Sequence, residues 1–467
     1  LNIVQIVSDT FRRDFLGCYG NDWMHTEHLD AFAKKSLVFD RAYIASYPTM
    51  PNRADNFTGK YTFNYLGWAP LPREEVLLAE VLQREGYTAK AAVDTPFFVR
   101  GNYNYDRGFQ DFEWIRGQGR FDRADVNLQR RYEADYCAPA TMLAASRWLE
   151  RHYKDKFFLY ADTWDPHEPW DPPRWYAEMY SKGLEGSSAD TFEEYQKAGK
   201  GRGLAETGTV AQYQEIVKRA GRRMKREGRG GRLAADMTED GLNRLRGLYA
   251  GEVTMVDRGV GALLQKIEDL GLLEDTAVIF TTDHGSYHGE HGYVHKRPHF
   301  YEEVAHIPLI MWMPDSIGGE RGRCDALVQP PDLMPTMLEL AGVQVPETVQ
   351  GKSLLPIIRG EKKQIHEIVV NALLQAFDRL VSPRSARITV TSKDWSLIAA
   401  RADAPPTDER GEKIEPELYN LTKDPKETHN LFNEEEEVAD KLYSKMIKLL
   451  KSLGTSEEFL QRWAKKE

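Results

Sequence analysis

Short apolar runs alternate with longer amphipathic ones along the first two-thirds of the chain. Residues 2–7 are rich in β-branched apolar side chains over a length too short for a helix, as in a strand buried on both faces. Residues 88–93, 156–161 and 277–281 repeat that pattern, and 36–44 reads as extended. Between them, residues 29–35, 74–85, 138–153 and 245–270 predict helices. In 74–85 the apolar positions Val76, Leu77, Leu78, Val81 and Leu82 have helical spacing. Gly86 and Gly271 follow two of these segments, where a helix end favours a residue that tolerates left-handed backbone. This alternation predicts an α/β fold: a doubly wound, mostly parallel central sheet flanked by helices. In such sheets ligands bind at the carboxyl ends of the strands.

Two stretches depart from the pattern. Residues 171–240 interrupt it, and within them 197–232 hold eleven Lys and Arg against three Glu. This is expected to be a basic insertion, either a solvated decoration or an arm that guides an anionic substrate or packs on a neighbouring subunit of a homo-oligomer. Past about residue 365, residues 367–373 and 385–398 are strand-like and 443–463 helical. The expected division is a catalytic domain over 1–365 and a smaller C-terminal α+β subdomain over 366–467.

Composition narrows the function classes. A chain of 467 residues with a formal charge of −10 suits one large and one small domain and gives no reason to expect a nucleic-acid partner. No apolar run approaches the roughly 18 residues of a membrane span. Cys18, Cys137 and Cys324 are too scattered for a disulfide framework or a metal-ligand spacing, so a reducing, cytoplasmic setting is expected. The chain opens at Leu1 directly into a strand, which leaves a periplasmic or secreted location with a removed leader open.

Polar residues fall where an active site is expected. Asp9 follows the first strand and reads as a turn residue or a hard-cation ligand. Thr49 stands between Pro48 and Pro51, ahead of a helix predicted to begin after Pro51, with Arg53 close behind. A hydroxyl there is a cap or a nucleophile beside backbone N–H groups that favour an anion. Asp162, Asp165 and His167 follow another strand, and His167 is either a fixed turn residue or a proton donor and anion ligand. Asp283 and His284 end a fourth strand and open a run with His288, His291, His295, Lys296 and His299, so five of twelve histidines fall within sixteen residues. Asp and His together after a buried strand suit a metal.

These segments, in order, resemble the sulfatases and their phosphonate monoester hydrolase relatives in the alkaline phosphatase superfamily. Residues 7–20, with Asp9, Asp14, Tyr19 and Gly20, look like the family's opening block. Thr49, Pro51 and Arg53 resemble its Cys/Ser-x-Pro-x-Arg signature. Residues 165–170, 282–296, 332–342, 351–356, 417–421 and 424–431 match later blocks. The resemblance implies one divalent metal ion held by Asp9, Asp283 and His284, with the Thr49 oxygen completing the shell. Thr10 stands where a further ligand is common. The resemblance also implies that Arg53, His167 and Lys296 bind the ester's anionic group or move protons. Asn52, Thr95, His291 and His295 are expected as substrate contacts.

Two departures decide what is expected of the reaction. Sulfatases oxidise the signature Cys or Ser to an aldehyde; Thr would give a ketone, so that maturation does not operate. A Thr alkoxide can still attack phosphorus through a covalent phospho-enzyme. Where many sulfatases carry Gly-Lys-x-His, this chain has Val93, Asp94, Thr95 and Pro96, and Asp94 is expected to repel a dianion. Both features favour a phosphodiester or phosphonate monoester. A sulfuric ester hydrolase is the alternative, and a non-catalytic anion-binding relative a second. Lys296 argues for one metal, with a second at Asp162 or Asp165 and His167 less favoured. The imidazole favours Mn²⁺ or Zn²⁺ over Ca²⁺.

Overall fold

The computed structural model describes residues 1–99, 103–115, 132–168, 170, 172–180, 239–297, 299–373, 386–407 and 413–463. The basic segment 197–232 lies outside them. Among the described residues the strands are β1 (Asn2–Ser8), β2 (Leu37–Tyr43), β3 (Thr88–Val93), β4 (Asp111–Trp114), β5 (Phe157–Thr163), β6 (Thr276–Thr282), β7 (Tyr287–His288), β8 (Val294–His295), β9 (His306–Trp312) and β10 (Gly322–Val328). Eight of them form one sheet in the order β10-β2-β9-β6-β1-β5-β3-β4, with β7 and β8 a separate ribbon. β9 is antiparallel to both of its neighbours, β2 and β6, while the other pairings are parallel. β1 lies at the centre because both its faces are apolar. Ile3 and Val7 join one core, and Val4 and Ile6 the other.

The principal helices are α1 (Glu27–Lys34), α2 (Thr49–Thr58), α3 (Leu78–Arg84), α4 (Cys137–His152), α5 (Arg174–Tyr180), α6 (Glu239–Asp269) and α7 (Leu333–Leu340). α4 and α6 cover one face through Met142, Trp148, Val256, Val260 and Leu263. α2, α3 and α7 cover the other through Met50, Phe57, Leu82 and Met337. The fold is therefore three-layered, as expected of a sheet whose strands are apolar on both sides. No helix among the described residues is long and apolar enough to cross a membrane.

A second, antiparallel sheet of β11 (Val369–Ala372), β12 (Arg387–Thr391), β13 (Trp395–Ala400) and β14 (Glu417–Asn420) packs under α8 (Glu436–Ser452). The extended run expected over 385–398 is thus two strands, and the helix expected over 443–463 breaks at Leu453 before a short turn of helix at Glu457–Gln461. This sheet joins the first beside the signature segment. Ala372 N–H donates to Ala45 O at 2.8 Å, and Tyr47 N–H to Ala372 O at 3.1 Å.

Candidate active site

β1, β5 and β6 are neighbours, so their carboxyl ends bring Asp9, Asp162 and Asp283 together although up to 274 residues of chain separate them. Like charges at this spacing need cations between them. Arg53 supplies one. Its Nε and Nη2 grip both oxygens of Asp162 at 2.8 Å. Its Nη1 donates to Asp283 Oδ2 at 2.6 Å and lies 3.1 Å from Asp9 Oδ2. Arg53 is fully buried. Its guanidinium is therefore engaged by the carboxylates from behind. Asp162, in turn, accepts from Thr95 Oγ1 at 2.7 Å and from the Tyr160 hydroxyl at 2.6 Å.

Ligand atoms of Asp9, Asp283 and His284 all lie within 4.8 Å of one another. The loops that carry them are tied together. Thr10 N–H donates to Asp283 Oδ1 at 2.9 Å, with the Thr10 backbone left-handed at φ 62°, and Thr10 Oγ1 donates to Asp9 Oδ1 at 2.6 Å. The Thr10 hydroxyl thus holds a candidate ligand. Gly285 lets the His284 loop approach Glu303, where a Cβ would meet the Glu303 carbonyl at 1.9 Å. Burial is the largest influence on the Asp9 carboxyl and pushes its pKa up. Lys296, Arg53 and His284 outweigh it and bring the net value below the ordinary one. Burial, reinforced by Lys296, drives the His284 imidazole below its ordinary pKa. His284 Nδ1 is spent on Gly285 O at 2.8 Å, which turns the Nε2 lone pair outward.

α2 begins at Thr49, three residues earlier than predicted. Pro51 fits because the first turn leaves its backbone N–H groups unpaired. Lys296 Nζ lies 3.4 Å from Thr49 Oγ1 and 3.5 Å from Asp9 Oδ1, so it joins the hydroxyl to the acidic group. Thr49 is fully buried, whereas the Lys296 side chain is 18% exposed. His167 packs under Trp164, ring centroids 4.0 Å apart, and its Nδ1 contacts Glu168 O at 2.5 Å. Burial drives its pKa well below the ordinary value, so at rest the ring is neutral and Nε2 is a proton acceptor. Proton donation from His167 therefore first requires that it receive a proton.

Several expected contacts are engaged elsewhere. The Asn52 amide donates to Asp283 O at 2.7 Å and accepts from Asn56 at 3.1 Å, so it steadies a ligand loop. Thr95 is committed to Asp162. His291 stacks on Tyr301 at 3.7 Å and lies 3.3 Å from Glu303 Oε2. His295 faces Glu168. The surroundings of Asp94 weaken the repulsion expected of it. It is buried, accepts from Trp164 N–H and Thr141 Oγ1, and burial next to Asp165 holds its pKa well above the ordinary value. Burial thus disfavours the charge on which that repulsion depends, while the two hydrogen bonds oppose this by favouring the carboxylate.

Sequence reasoning missed Tyr249 on α6. Its hydroxyl accepts from Arg12 N–H and donates to Thr10 O, both at 2.8 Å, and so pins the Asp9 loop to a helix. Nothing in the sequence distinguishes it from an ordinary core residue of that helix. Asp162 was weighed only as a spare metal ligand; the complementary arginine came from a segment 109 residues away.

A family model described as Sulfatase matches residues 1–343. The chain belongs to the sulfatase family. A second model, N-sulphoglucosamine sulphohydrolase, C-terminal, matches residues 289–453 of this sulfatase-family chain. It is 24% identical to an N-acetylglucosamine-6-O-sulfatase of Bacteroides thetaiotaomicron, over 93% of this chain and 83% of that protein. Among solved structures, it is similar to a protein in complex with its substrate D-glucosamine-2-N,6-O-disulfate, with TM-score 0.75, 20% identity and 98% of each chain covered. It is also similar to the phosphonate monoester hydrolase of Agrobacterium radiobacter, with TM-score 0.74, 20% identity and coverage of 97% and 96%. Hydrolases of this family typically use a divalent metal ion. The residues here fit one: His284 Nε2 and Asp9 Oδ2 are buried and make no hydrogen bond, though each is of a type that binds such ions.

Proposed function

We propose that this sulfatase-family hydrolase cleaves esters of phosphorus, either phosphodiesters or phosphonate monoesters, with Thr49 as the nucleophile. The observation that carries this reading is Thr49 itself: a buried hydroxyl at the start of α2, in contact with Lys296, which also lies 3.5 Å from Asp9, in a segment that resembles the family's Cys/Ser-x-Pro-x-Arg signature. A divalent cation bound by Asp9, Asp283 and His284, with Mn²⁺ or Zn²⁺ favoured, supplies positive charge that lowers the hydroxyl pKa and offsets charge developing on the ester. A single ion is proposed, because Asp162 is fully engaged by Arg53 and Lys296 provides the second positive charge.

Thr49 Oγ1 forms the bond to phosphorus as the bond to the leaving oxygen breaks in line. The hydroxyl proton goes to solvent, and Lys296 compensates the oxyanion. The leaving oxygen collects a proton from His167. Water then attacks the same phosphorus, and Thr49 Oγ1 departs and is reprotonated. Arg53 fixes the ligand carboxylates throughout.

The relatives favour a second reading, hydrolysis of sulfuric esters, since the curated relative above is a sulfatase. It requires an exit from a sulfo-threonine that a single hydroxyl does not provide. Aryl phosphodiester, phosphonate monoester, phosphate monoester and sulfate should be assayed side by side with Mn²⁺, Zn²⁺ and Ca²⁺. Faster cleavage of the sulfate, with Thr49 shown unmodified by mass spectrometry, replaces the first reading with the second. No turnover of any ester favours a non-catalytic anion-binding role.

A further inference from the structure

His167 and Lys296 reach the site from different segments, and one side chain touches both segments. Glu168 Oε2 lies 3.4 Å from His167 Nδ1, and Oε1 lies 3.5 Å from Nδ1 of His295, the residue before Lys296. Glu168 Oε2 is buried and makes no hydrogen bond at rest, a costly state for a carboxylate oxygen unless a charged donor comes to it. The His295 backbone is left-handed at φ 67°, which is strained for a residue with a side chain. Its ring is stacked on Trp170, centroids 5.3 Å apart. This geometry turns His295 toward Glu168 while the next residue, Lys296, reaches Thr49.

We propose that Glu168 is the counter-ion that lets the buried His167 carry the proton it gives to the leaving oxygen, and that His295 holds Glu168 in place for that task. Both are positioning residues, and the proposal rests on the hydrolytic reading above. Burial is the largest influence on His167 and disfavours its charged form; the cationic Lys296 and nearby His284 add to it. Glu168 is the group that opposes them. Burial raises the pKa of its own carboxyl, but His295, with its hydrogen bond, and Lys296 outweigh that and hold it well below the ordinary range, so it is ionised at neutral pH; His167 adds to them only when protonated. When His167 takes a proton from water at Nε2, Nδ1–H stays on the Glu168 carbonyl oxygen and the charged ring faces the Glu168 carboxylate, 3.4 Å from Nδ1. When Nε2 passes that proton to the leaving oxygen, the ring returns to its neutral resting form. The proton count closes with one taken from water and one delivered to the leaving group.

The test uses the full-length, metal-loaded protein and whichever aryl ester class it hydrolyses, with leaving groups from dinitrophenol to unsubstituted phenol. Glu168→Gln should lower kcat by roughly 10²-fold or more on the phenol ester, and by less than about fivefold on the dinitrophenol ester, which needs little protonation. Glu168→Asp should recover part of the loss, and His295→Gln should show the same leaving-group pattern at smaller amplitude. Equal losses along the series, or no loss on the phenol ester, would overturn the proposal. Titration of ¹⁵N-histidine-labelled protein gives a readout independent of turnover: the His167 pKa should fall in Glu168→Gln. An unchanged value would overturn the counter-ion role. If the wild type hydrolyses no ester, the functional reading fails, while the titration still decides the role of Glu168.

Discussion

Lys296 Nζ lies 3.4 Å from Thr49 Oγ1, joining a surface-reaching ribbon to the first turn of a buried helix 247 residues away. Lys296 also lies 3.5 Å from Asp9, so the hydroxyl, the cation and the acidic group form one unit. The consequences of that unit, and of the contacts that support it, can be measured.

Thr49→Ala should lower kcat by about 10³-fold or more on the preferred ester while metal content stays near that of the wild type, because two carboxylates and an imidazole remain. Thr49→Ser keeps the hydroxyl and should stay within roughly tenfold of wild type. Rapid quenching followed by mass spectrometry should find phosphate or phosphonate on Thr49 in the wild type. An active Thr49→Ala protein would remove Thr49 from the reaction.

Chelation should abolish turnover and lower the thermal midpoint. Adding back one equivalent of Mn²⁺ or Zn²⁺ should restore both. An ion present at about 100 times its dissociation constant stabilises the fold by about 2.7 kcal/mol. Asp283→Asn, which removes a ligand charge and the strongest partner of Arg53 Nη1, should fail to retain the ion on dialysis, as read by elemental analysis. Full retention would place the metal elsewhere.

Tyr249→Phe removes a hydroxyl that serves both Arg12 N–H and Thr10 O. The two backbone groups are left buried without their partner, at a cost of about 1–3 kcal/mol in urea unfolding. Because the same hydroxyl pins the loop that carries Asp9, metal affinity should weaken by about tenfold or more. A loss of stability with unchanged affinity would reduce Tyr249 to a packing residue.

Glu290 provides a pH-dependent contribution away from the metal ligands. Burial raises its pKa, but the Arg12 guanidinium 2.8 Å away and the His288 N–H at 2.6 Å outweigh burial and bring it to about 2. The folded value is below the ordinary 4.5, so between the two values the unfolded chain binds more protons and stability rises with pH. The contribution is present above about pH 4.5 and lost as pH falls toward about 2. Glu290→Gln should therefore destabilise by about 1–3 kcal/mol at pH 7 and progressively less below pH 4.5. A difference between wild type and variant that does not change with pH would show that Glu290 acts through packing alone.

Much of the architecture was legible because its signal is local. Residues 2–7 and 277–281 are apolar on both faces, and such strands are stable only inside a covered, mostly parallel sheet. The motifs after them named Asp9, Thr49, Asp283, His284 and Lys296, because strand ends of that fold are where polar side chains converge. Other features depend on neighbours distant in sequence. β9 is as apolar as β6, and nothing in its composition tells that it runs the opposite way. Arg53 is read from the sequence as binding the ester's anionic group, holding the nucleophile or moving protons, and packing gives its guanidinium to Asp162 and Asp283. Asp94 reads as a repelling charge, yet burial beside Asp165 pushes its pKa well above the ordinary value, against the pull of its hydrogen bonds from Thr141 and the Trp164 N–H. The sequence by itself determined the fold class, which follows from periodicity along the chain, and the resemblance of its motif blocks pointed to the family and to the candidate site residues. Only the tertiary structure decided which charges are paired and which ring nitrogens and carboxylate oxygens remain free, because desolvation and hydrogen bonding depend on what each group is packed against.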